Sequence, residues 1–175
     1  MTTPTKTARR IIVMGVSGCG KSTIGQALAT ALGLPYLEGD DLHPPANVAA
    51  MSAGTPLTDA MRAPWLDLIR SAMSESLTRS TGVVASCSAL KRSYRDQLSR
   101  EGAVFFVHLA LSPQEAVARM SQRPGHFMPA SLAASQAQTL QALEPDEAGV
   151  TLEAVRPVAD LVAQARAALD QHCLT

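Results

Sequence analysis

Short apolar runs rich in β-branched residues alternate along the chain with longer stretches in which apolar residues recur at helical spacing. Parallel strands must be joined by crossover connections, and strands covered on both faces are continuous apolar runs. The alternation therefore predicts an α/β fold with a parallel sheet. The predicted strands are Ile11–Val16, Leu34–Glu38, Val83–Cys87, Val104–Leu109 and Val150–Val155.

The first helix is predicted directly after the first strand, where the apolar pattern continues until Gly33 and Pro35 end it. Its apolar residues at helical spacing are Ile24, Ala27, Leu28, Ala31 and Leu32. Further helices are predicted at Trp65–Leu77, Ala89–Arg100, Pro113–Gln122, Ala130–Leu143 and Val158–Gln171.

The composition favours a single domain without a large net charge. The chain has 175 residues, of which 46% are hydrophobic, and no repeat or linker divides it. We therefore interpret residues 1–175 as a single domain. Lys plus Arg and Asp plus Glu both number 15, so the formal net charge is zero. This balance does not favour a nucleic acid or a membrane as a partner.

The cysteines and the N-terminus indicate a cytoplasmic protein. Cys19, Cys87 and Cys173 are odd in number and form no CxxC pair, which is typical of free thiols in a reducing compartment. The stretch "MTTPTKTARR" is polar, and the apolar run after it is too short for a signal peptide or a membrane span. We expect neither export nor membrane anchoring.

The most specific motif is "GVSGCGKST", which lies between a predicted strand and a predicted helix. Its spacing matches the phosphate-binding loop, in which backbone N–H groups surround phosphate oxygens. Lys21 is expected to reach the β- and γ-phosphates, and Ser22 to hold Mg²⁺. The strand and helix on either side argue against a glycine-rich turn with an incidental lysine. The predicted nucleotide-binding residues are Gly15, Val16, Ser17, Gly18, Cys19, Gly20, Lys21, Ser22 and Thr23.

A phosphate loop indicates a nucleotide but does not determine its use. A GTPase switch normally carries an Asn-Lys-x-Asp motif, and the sole asparagine here is Asn47 in "PANVA". An ATPase module needs a segment that couples it to a partner, and the chain length leaves little room for one. A kinase of a small molecule or nucleotide therefore fits best.

A second polar cluster, "EGDDLHP", follows the second predicted strand. Because ligands of open parallel sheets lie beyond the carboxyl ends of the strands, Glu38, Asp40, Asp41 and His43 are expected beside the phosphate loop. A carboxylate there can accept a proton from an acceptor hydroxyl, and Asp40 is our candidate base. The alternative is a polar loop in which the two aspartates only cap a turn.

The motifs as a set resemble those of the bacterial gluconate kinases, which are phosphate-loop kinases of the adenylate-kinase-like class. The resemblance runs from about Ile11 to Glu147 and rests on "GVSGCGKST", "EGDDLHP", "PWL", "CSALKRSYRD", "RPGHFMP" and "SQ". It implies a three-layer fold with a five-stranded parallel sheet, a flexible N-terminus at about 1–8 and a small lid at about 119–136. It also implies a cytosolic homodimer that uses ATP and Mg²⁺ to phosphorylate the 6-hydroxyl of D-gluconate.

Under this resemblance, basic residues receive roles in binding the acceptor. Arg62 is expected to bind the gluconate carboxylate through its planar guanidinium, unless it is a surface arginine at a helix start. Lys91 is expected to touch the substrate, with a solvated helix face as the alternative. His43 is a further candidate for contact with the substrate. Arg95 and Asp96 are expected to form an outward ion pair.

The predicted lid carries the remaining candidates. Arg119 and Arg123 are expected to close over the ATP phosphates and to neutralise the charge of the transferred group. The alternative is a charged helix end that Pro124 and Gly125 interrupt. His126 is expected to add a substrate contact.

The sequence departs from the family pattern at two places. Glu38 stands where the family usually has aspartate, and we expect it to hold a water of Mg²⁺. Only Asp59 remains of an acidic run before Arg62, because Ala60 and Met61 replace the next two acids. The lost acids either contacted the sugar or formed a solvated helix start, and the second interpretation is favoured.

The predicted reaction is a direct in-line transfer without a phospho-enzyme. Lys21, the loop amides, Mg²⁺ and the lid arginines stabilise charge, while Asp40 orients the hydroxyl and accepts its proton. The alternatives are a kinase of another small hydroxy acid such as shikimate, and a non-catalytic module that uses ATP occupancy as a signal.

Overall fold

A parallel sheet forms the centre of the computed structural model, which describes residues 9–122 and 131–174. The strand order is β2-β3-β1-β4-β5, and every neighbouring pair is parallel. The sequence-based α/β prediction is therefore confirmed, with each strand boundary within two residues of its predicted position. The strands are β1 (Arg9–Met14), β2 (Tyr36–Glu38), β3 (Gly82–Ser86), β4 (Val104–Ala110) and β5 (Gly149–Glu153).

Helices connect the strands and cover the sheet. A 3₁₀ turn (Gly39–Leu42) follows β2, and neither this turn nor the helix after it was predicted. The helices are α1 (Lys21–Leu32), α2 (Pro45–Ser52), α3 (Asp59–Ser76), α4 (Arg92–Leu98), α5 (Pro113–Ser121), α6 (Ser131–Thr139) and α7 (Val158–Leu174).

Two helix starts differ from the prediction for local reasons. Helix α3 begins six residues before Trp65, because the Thr58 hydroxyl caps it by accepting the backbone N–H of Met61 at 3.2 Å. Helix α4 begins three residues after Ala89, because Ala89 has a φ of 46° and Lys91 is extended. The pattern of apolar residues predicts neither the cap at Thr58 nor the backbone conformation of Ala89 and Lys91.

The sheet core is apolar, and its topology determines where polar loops can meet. Strand β1 lies between β3 and β4, and its four residues Ile11–Met14 are fully buried. The register places Glu38 at the end of β2 opposite Ser86 of β3, and Ser86 opposite Val13 of β1. The loops that follow β1, β2 and β3 therefore start side by side at one edge of the sheet.

Arg95 is buried, which corrects the prediction of an outward pair with Asp96. Its side chain is 1% exposed, and Nε donates to Glu147 Oε1 at 2.6 Å. Asp96 pairs with Arg92 Nε at 2.9 Å instead. The prediction was wrong because the acid that satisfies Arg95 lies 52 residues away in sequence.

The Arg95 guanidinium also joins two segments of backbone. Its Nη1 donates to the carbonyl oxygens of Ala89 and Gln141, each at 3.0 Å, and Nη2 donates to Ala142 O at 3.2 Å. Ala89 lies in the loop after β3, and the other two carbonyls lie after α6. One side chain thus holds these two segments together.

The described part of the chain contains no helix long and apolar enough to span a bilayer. Its three cysteines are free thiols, with Cys19 and Cys87 buried and Cys173 exposed.

We expect Arg95→Met to reduce the free energy of unfolding by about 3–5 kcal/mol, because it leaves the buried Glu147 carboxylate and several carbonyl oxygens without their cation. Urea unfolding followed by circular dichroism measures the change. Arg79→Met is the control: this arginine is 78% exposed and pairs with an exposed Glu75, so its loss should cost at most about 1 kcal/mol. Equal losses in the two variants would contradict the assigned role of Arg95.

Candidate active site

The loop between β1 and α1 has the shape of a phosphate-binding loop. Gly15 has a φ of 145°, and a Cβ there would lie 2.8 Å from the carbonyl oxygen of Leu109. Gly18 has a φ of 86°, and a Cβ there would lie 3.0 Å from Ala116 O. Only glycine fits both the backbone conformation and the available space at these positions. The loop is therefore packed against the end of β4 and against α5.

The start of α1 has the features of an anion site. No side chain caps this helix, so its first N–H groups and the positive end of its dipole are not satisfied by a capping residue. Lys21 is the first residue of α1, and its Nζ donates to Val16 O at 3.1 Å across the loop. The ammonium is thus held within the loop, at the position where phosphate oxygens would bind.

Glu38 lies at the end of β2 and accepts hydrogen bonds from several hydroxyl groups. Ser22 donates to Oε2 in a very short contact, Tyr36 donates to Oε2 at 2.8 Å, and Ser86 donates to Oε1 at 2.5 Å. Burial raises the pKa of Glu38, but these hydrogen bonds outweigh burial and hold the pKa below its ordinary value. The side chain is therefore a carboxylate at neutral pH.

The arrangement around Ser22 and Glu38 suits a magnesium ion shared with phosphates. In residues 9–122 and 131–174, no group of three or more His, Cys, Asp or Glu side chains is placed to hold a metal. Mg²⁺ commonly binds through one or two protein oxygens together with substrate phosphates. The serine hydroxyl and the adjacent carboxylate supply oxygen ligands of that kind.

Two clefts meet at the end of the phosphate loop. The first is lined by loop residues together with Glu38 and Asp40. The second extends towards α3 and α6. The residues that line both are Ser17, Lys21 and Asp40. The second cleft, which we call the acceptor pocket, is also lined by His43, Met51, Pro56, Leu57, Arg62, Trp65, Ser88, Leu132, Ser135 and Gln136.

His43 lies in the acceptor pocket as an uncharged ring. It stacks on Trp65 with ring centroids 3.9 Å apart, and its Nε2 lies 3.8 Å from Asp40 Oδ1. Burial lowers the pKa of His43 to about 4, and the positive charge of Arg62 adds to the shift. In the unfolded chain, His43 would take up a proton near pH 6.5, whereas in the folded protein it stays neutral down to about pH 4. The free energy of unfolding is therefore expected to decrease as the pH falls from 6.5 towards 4.

Arg62 is held in the pocket wall by contacts behind it. Its residue exposure is 8%, and Nη1 donates to the Tyr94 hydroxyl at 3.2 Å while the guanidinium carbon lies 5.3 Å from the Tyr94 ring centroid. The Tyr94 hydroxyl donates to Asp59 in a very short contact. Lys91 Nζ binds the same carboxylate at 3.0 Å. Arg62 is therefore oriented by a chain of three side chains.

The series of contacts behind Arg62 includes both Asp59 and Lys91. Lys91, for which substrate contact or a solvated helix face was predicted, has its Nζ 5.6 Å from the Tyr94 ring centroid and is not among the described residues that line the acceptor pocket. Asp59, the retained acid, is the one that anchors Tyr94 and Lys91. Ala60 is exposed and Met61 is partly exposed, which favours a solvated position for the two acids that the chain lacks.

Arg119 lies beside the phosphate loop on the nucleotide side. Its Nη1 donates to Gly18 O at 3.4 Å, and its Nη2 donates to Ala154 O at 3.2 Å. Arg123 and His126 lie outside the described residues, as do positions 1–8 of the predicted flexible N-terminus and positions 123–130 of the predicted lid.

Sequence reasoning missed several residues of the site. Gln136 of α6, at the end of the predicted lid, accepts the backbone N–H of Ser17 at 2.7 Å, so this helix contacts the phosphate loop. Tyr36 and Ser86 hold Glu38, and Tyr94 holds Arg62. The motif "SQ" was a signal for Gln136, but a single sequence does not show which distant amide a side chain meets.

Comparisons with known proteins agree with this geometry. The shikimate kinase family profile matches residues 17–160. A gluconokinase from Gluconobacter oxydans is 53% identical over 140 residues, which are 79% of this chain and 79% of that protein. The thermosensitive gluconokinase of Escherichia coli is 41% identical over 163 residues, which cover 90% of this chain and 86% of that protein.

A solved gluconokinase structure is similar to this chain in three dimensions as well. The crystal structure of a gluconokinase from Sinorhizobium meliloti superimposes with a TM-score of 0.81 at 45% identity, covering 94% of this chain and 93% of that one. Since sequence and structure agree over most of the length, the chain belongs to the gluconokinase family of phosphate-loop kinases.

Proposed function

We propose that this chain transfers the γ-phosphoryl group of ATP to the 6-hydroxyl of D-gluconate, giving 6-phospho-D-gluconate and ADP. The observation that carries the proposal is the meeting of two clefts at Ser17, Lys21 and Asp40. One cleft is built for phosphates, and the other carries a cation, a neutral ring and a carboxylate. A phosphoryl donor and a polar acceptor can therefore meet at a lysine and a carboxylate.

On the nucleotide side, the loop amides and Lys21 bind the β- and γ-phosphates, and the N-terminus of α1 adds its dipole. Arg119 lies at the far side of the loop, close to Gly18 and Ala154, and supplies further positive charge. Ser22 and Glu38 would hold Mg²⁺. When bound, this ion offsets the charge of the phosphate oxygens.

On the acceptor side, Arg62 binds the carboxylate of gluconate. A planar guanidinium makes paired hydrogen bonds with a carboxylate, and the contacts to Tyr94 and its neighbours orient it beforehand. Lys91 acts through Asp59 in this arrangement and not by direct contact. His43 offers a ring nitrogen to an acceptor hydroxyl.

Asp40 performs the proton transfer. It lines both clefts, so its carboxylate is placed to orient the attacking hydroxyl and to accept its proton as the new bond to phosphorus forms. The transfer is in line and direct, because the acceptor and the donor occupy adjoining clefts and need no covalent intermediate on the protein.

Further features of the proposal come from the family resemblance. They are a homodimer, a cytoplasmic location, and contributions of Arg123 and His126 from the lid. Size-exclusion chromatography with light scattering tests the dimer.

The alternatives are separated by one assay of ADP release with gluconate, shikimate, glycerate and nucleoside monophosphates as acceptors. A shikimate-type enzyme should have a glycine-rich turn after β3, where this chain has Cys87, Ser88, Ala89 and Leu90. The family members at high identity are gluconokinases, which favours gluconate. A non-catalytic ATP-binding module would release no ADP with any acceptor.

We expect Lys21→Met to lower kcat about 10³-fold, because a charged donor to the transferred phosphate is lost. The protein should stay folded, since methionine is an unbranched side chain of similar size and the change removes one hydrogen bond to Val16 O. Initial rates of ADP release, with unfolding midpoints beside them, measure both effects. Arg79→Met removes a distant exposed cation and serves as the control. A near-normal turnover in the lysine variant would count against the assignment.

Asp40→Asn should remove most of the transfer activity while ATP binding remains, because the amide cannot accept the hydroxyl proton. The expected loss in kcat is about 10²–10⁴-fold. Calorimetry with a non-hydrolysable ATP analogue measures the binding. Asp41→Asn changes the neighbouring exposed carboxylate and should leave both properties intact. Loss of analogue affinity in the Asp40 variant would assign that residue to the metal instead.

Arg62→Lys should raise the KM for gluconate about tenfold or more, which corresponds to about 1.4 kcal/mol, because a point charge replaces a paired donor. The KM for ATP should change little. A neutral polyol of the same length should be used equally poorly by both proteins. Arg70→Lys is the matched control on α3, since that arginine pairs with Asp67 and Glu101. An unchanged KM for gluconate would remove Arg62 from the acceptor site.

A further inference from the structure

Asn47 is a buried amide that none of the roles above uses. It is the third residue of α2 and is 3% exposed. Its Nδ2 lies 3.1 Å from the backbone oxygen of Met61 and 3.3 Å from Nδ1 of His43. The side chain thus lies between the backbone of α3 and the imidazole of the acceptor pocket.

The chemistry of these contacts determines which atoms carry protons. A backbone carbonyl oxygen can only accept, so the amide nitrogen of Asn47, not its oxygen, faces Met61. The same nitrogen is the neighbour of His43 Nδ1, and an amide nitrogen can only donate. Nδ1 must therefore be the unprotonated, accepting nitrogen of the neutral ring, and the ring proton is on Nε2.

The protonated nitrogen faces the acceptor pocket. Nε2 lies on the side of Asp40, with 3.8 Å between it and Oδ1. The charged groups that face the ring are this carboxylate from the 3₁₀ turn and the Arg62 guanidinium from α3. Stacking on Trp65, whose Nε1 donates to Gly39 O at 2.8 Å, fixes the plane of the ring.

We propose that Asn47 is a positioning residue that fixes His43 as the Nε2–H tautomer, so that the acceptor pocket presents a hydrogen-bond donor to a hydroxyl oxygen of the acceptor. The identity of the acceptor rests on the proposed function, while the tautomer does not. The donor to His43 is held by the backbone of Met61 and not by its side chain. The loss of an acid at position 61 therefore leaves this arrangement intact.

A purely structural role for Asn47 makes a different prediction. If the amide only anchors α2 to the Met61 carbonyl, its replacement lowers stability but leaves the protonation of His43 unchanged. The state of the imidazole nitrogens therefore separates the two roles, and a loss of stability does not.

Long-range ¹H–¹⁵N correlation spectra of the ¹⁵N-labelled protein at pH 7 test the tautomer directly. We expect His43, assigned with a His43→Gln variant, to show a protonated Nε2 and an unprotonated Nδ1. A nuclear Overhauser contact should join the Asn47 amide protons to the His43 ring. In the unmodified protein, a protonated Nδ1 would overturn the proposal, whether the ring is the other neutral tautomer or an imidazolium.

Two variants test whether Asn47 fixes the tautomer of His43. In Asn47→Asp the new carboxylate can only accept, so His43 Nδ1 should become protonated. In Asn47→Ala the constraint is lost, and the ring nitrogens should show averaged shifts of the two tautomers. His108 and His172 are internal references whose signals should not move. A pure Nε2–H signal for His43 in either folded variant would overturn the role of Asn47.

Kinetics connect the tautomer to the acceptor. Asn47→Asp should raise the KM for gluconate about tenfold, as expected for the loss of one good hydrogen bond, and change the KM for ATP less than about twofold. An unchanged KM for gluconate together with an altered tautomer would overturn the proposed contact with the acceptor. If the unmodified protein releases no ADP with gluconate, the proposed function fails, while the spectra still decide the tautomer.

Discussion

The carboxylate of Glu38 connects the parts of the site. It accepts hydrogen bonds from Ser22 at the start of α1 and from Ser86 at the end of β3, so it joins the phosphate loop to the neighbouring strands. The parallel register of β2 and β3 places Glu38 and Ser86 opposite each other. Burial alone would favour the neutral acid, and the donated hydrogen bonds reverse that preference. The negative charge of Glu38, which the proposed magnesium site would use, is thereby kept in place.

Charge is divided between the two clefts. Backbone N–H groups, a helix N-terminus and Lys21 bring positive charge to the cleft at the phosphate loop, which Glu38 and Asp40 also line. In the acceptor pocket, Tyr94 orients the Arg62 guanidinium, and His43 remains neutral beside it. A second positive charge on the imidazole would repel the guanidinium and lose solvation on burial. The acceptor pocket thus places an uncharged ring beside the Arg62 guanidinium and the Asp40 carboxylate, with Lys21 where the two clefts meet.

The acceptor pocket is assembled from segments that are far apart in the chain. Arg95 binds carbonyl oxygens of the loop after β3 and of the segment after α6. Gln136 of α6 binds the backbone of the phosphate loop at Ser17. Helix α6 therefore lines the pocket and contacts the phosphate loop at the same time. Truncation of either side chain would loosen several walls of the site together.

The amino-acid sequence alone determined the α/β class, the strands and the phosphate loop, because apolar periodicity and the glycine-lysine spacing are local properties. It also located Glu38, Asp40, His43 and Arg62 as candidates, since each follows a strand or belongs to a motif. Only the tertiary structure decided which partners hold the buried polar side chains: Glu147 for Arg95, Tyr94 for Arg62, and Asn47 for His43. The first two of these pairs join residues more than 30 positions apart, and the third depends on the turn between β2 and α2. Hydrogen bonding and burial at such distances depend on how the chain folds back on itself, which local pattern does not encode.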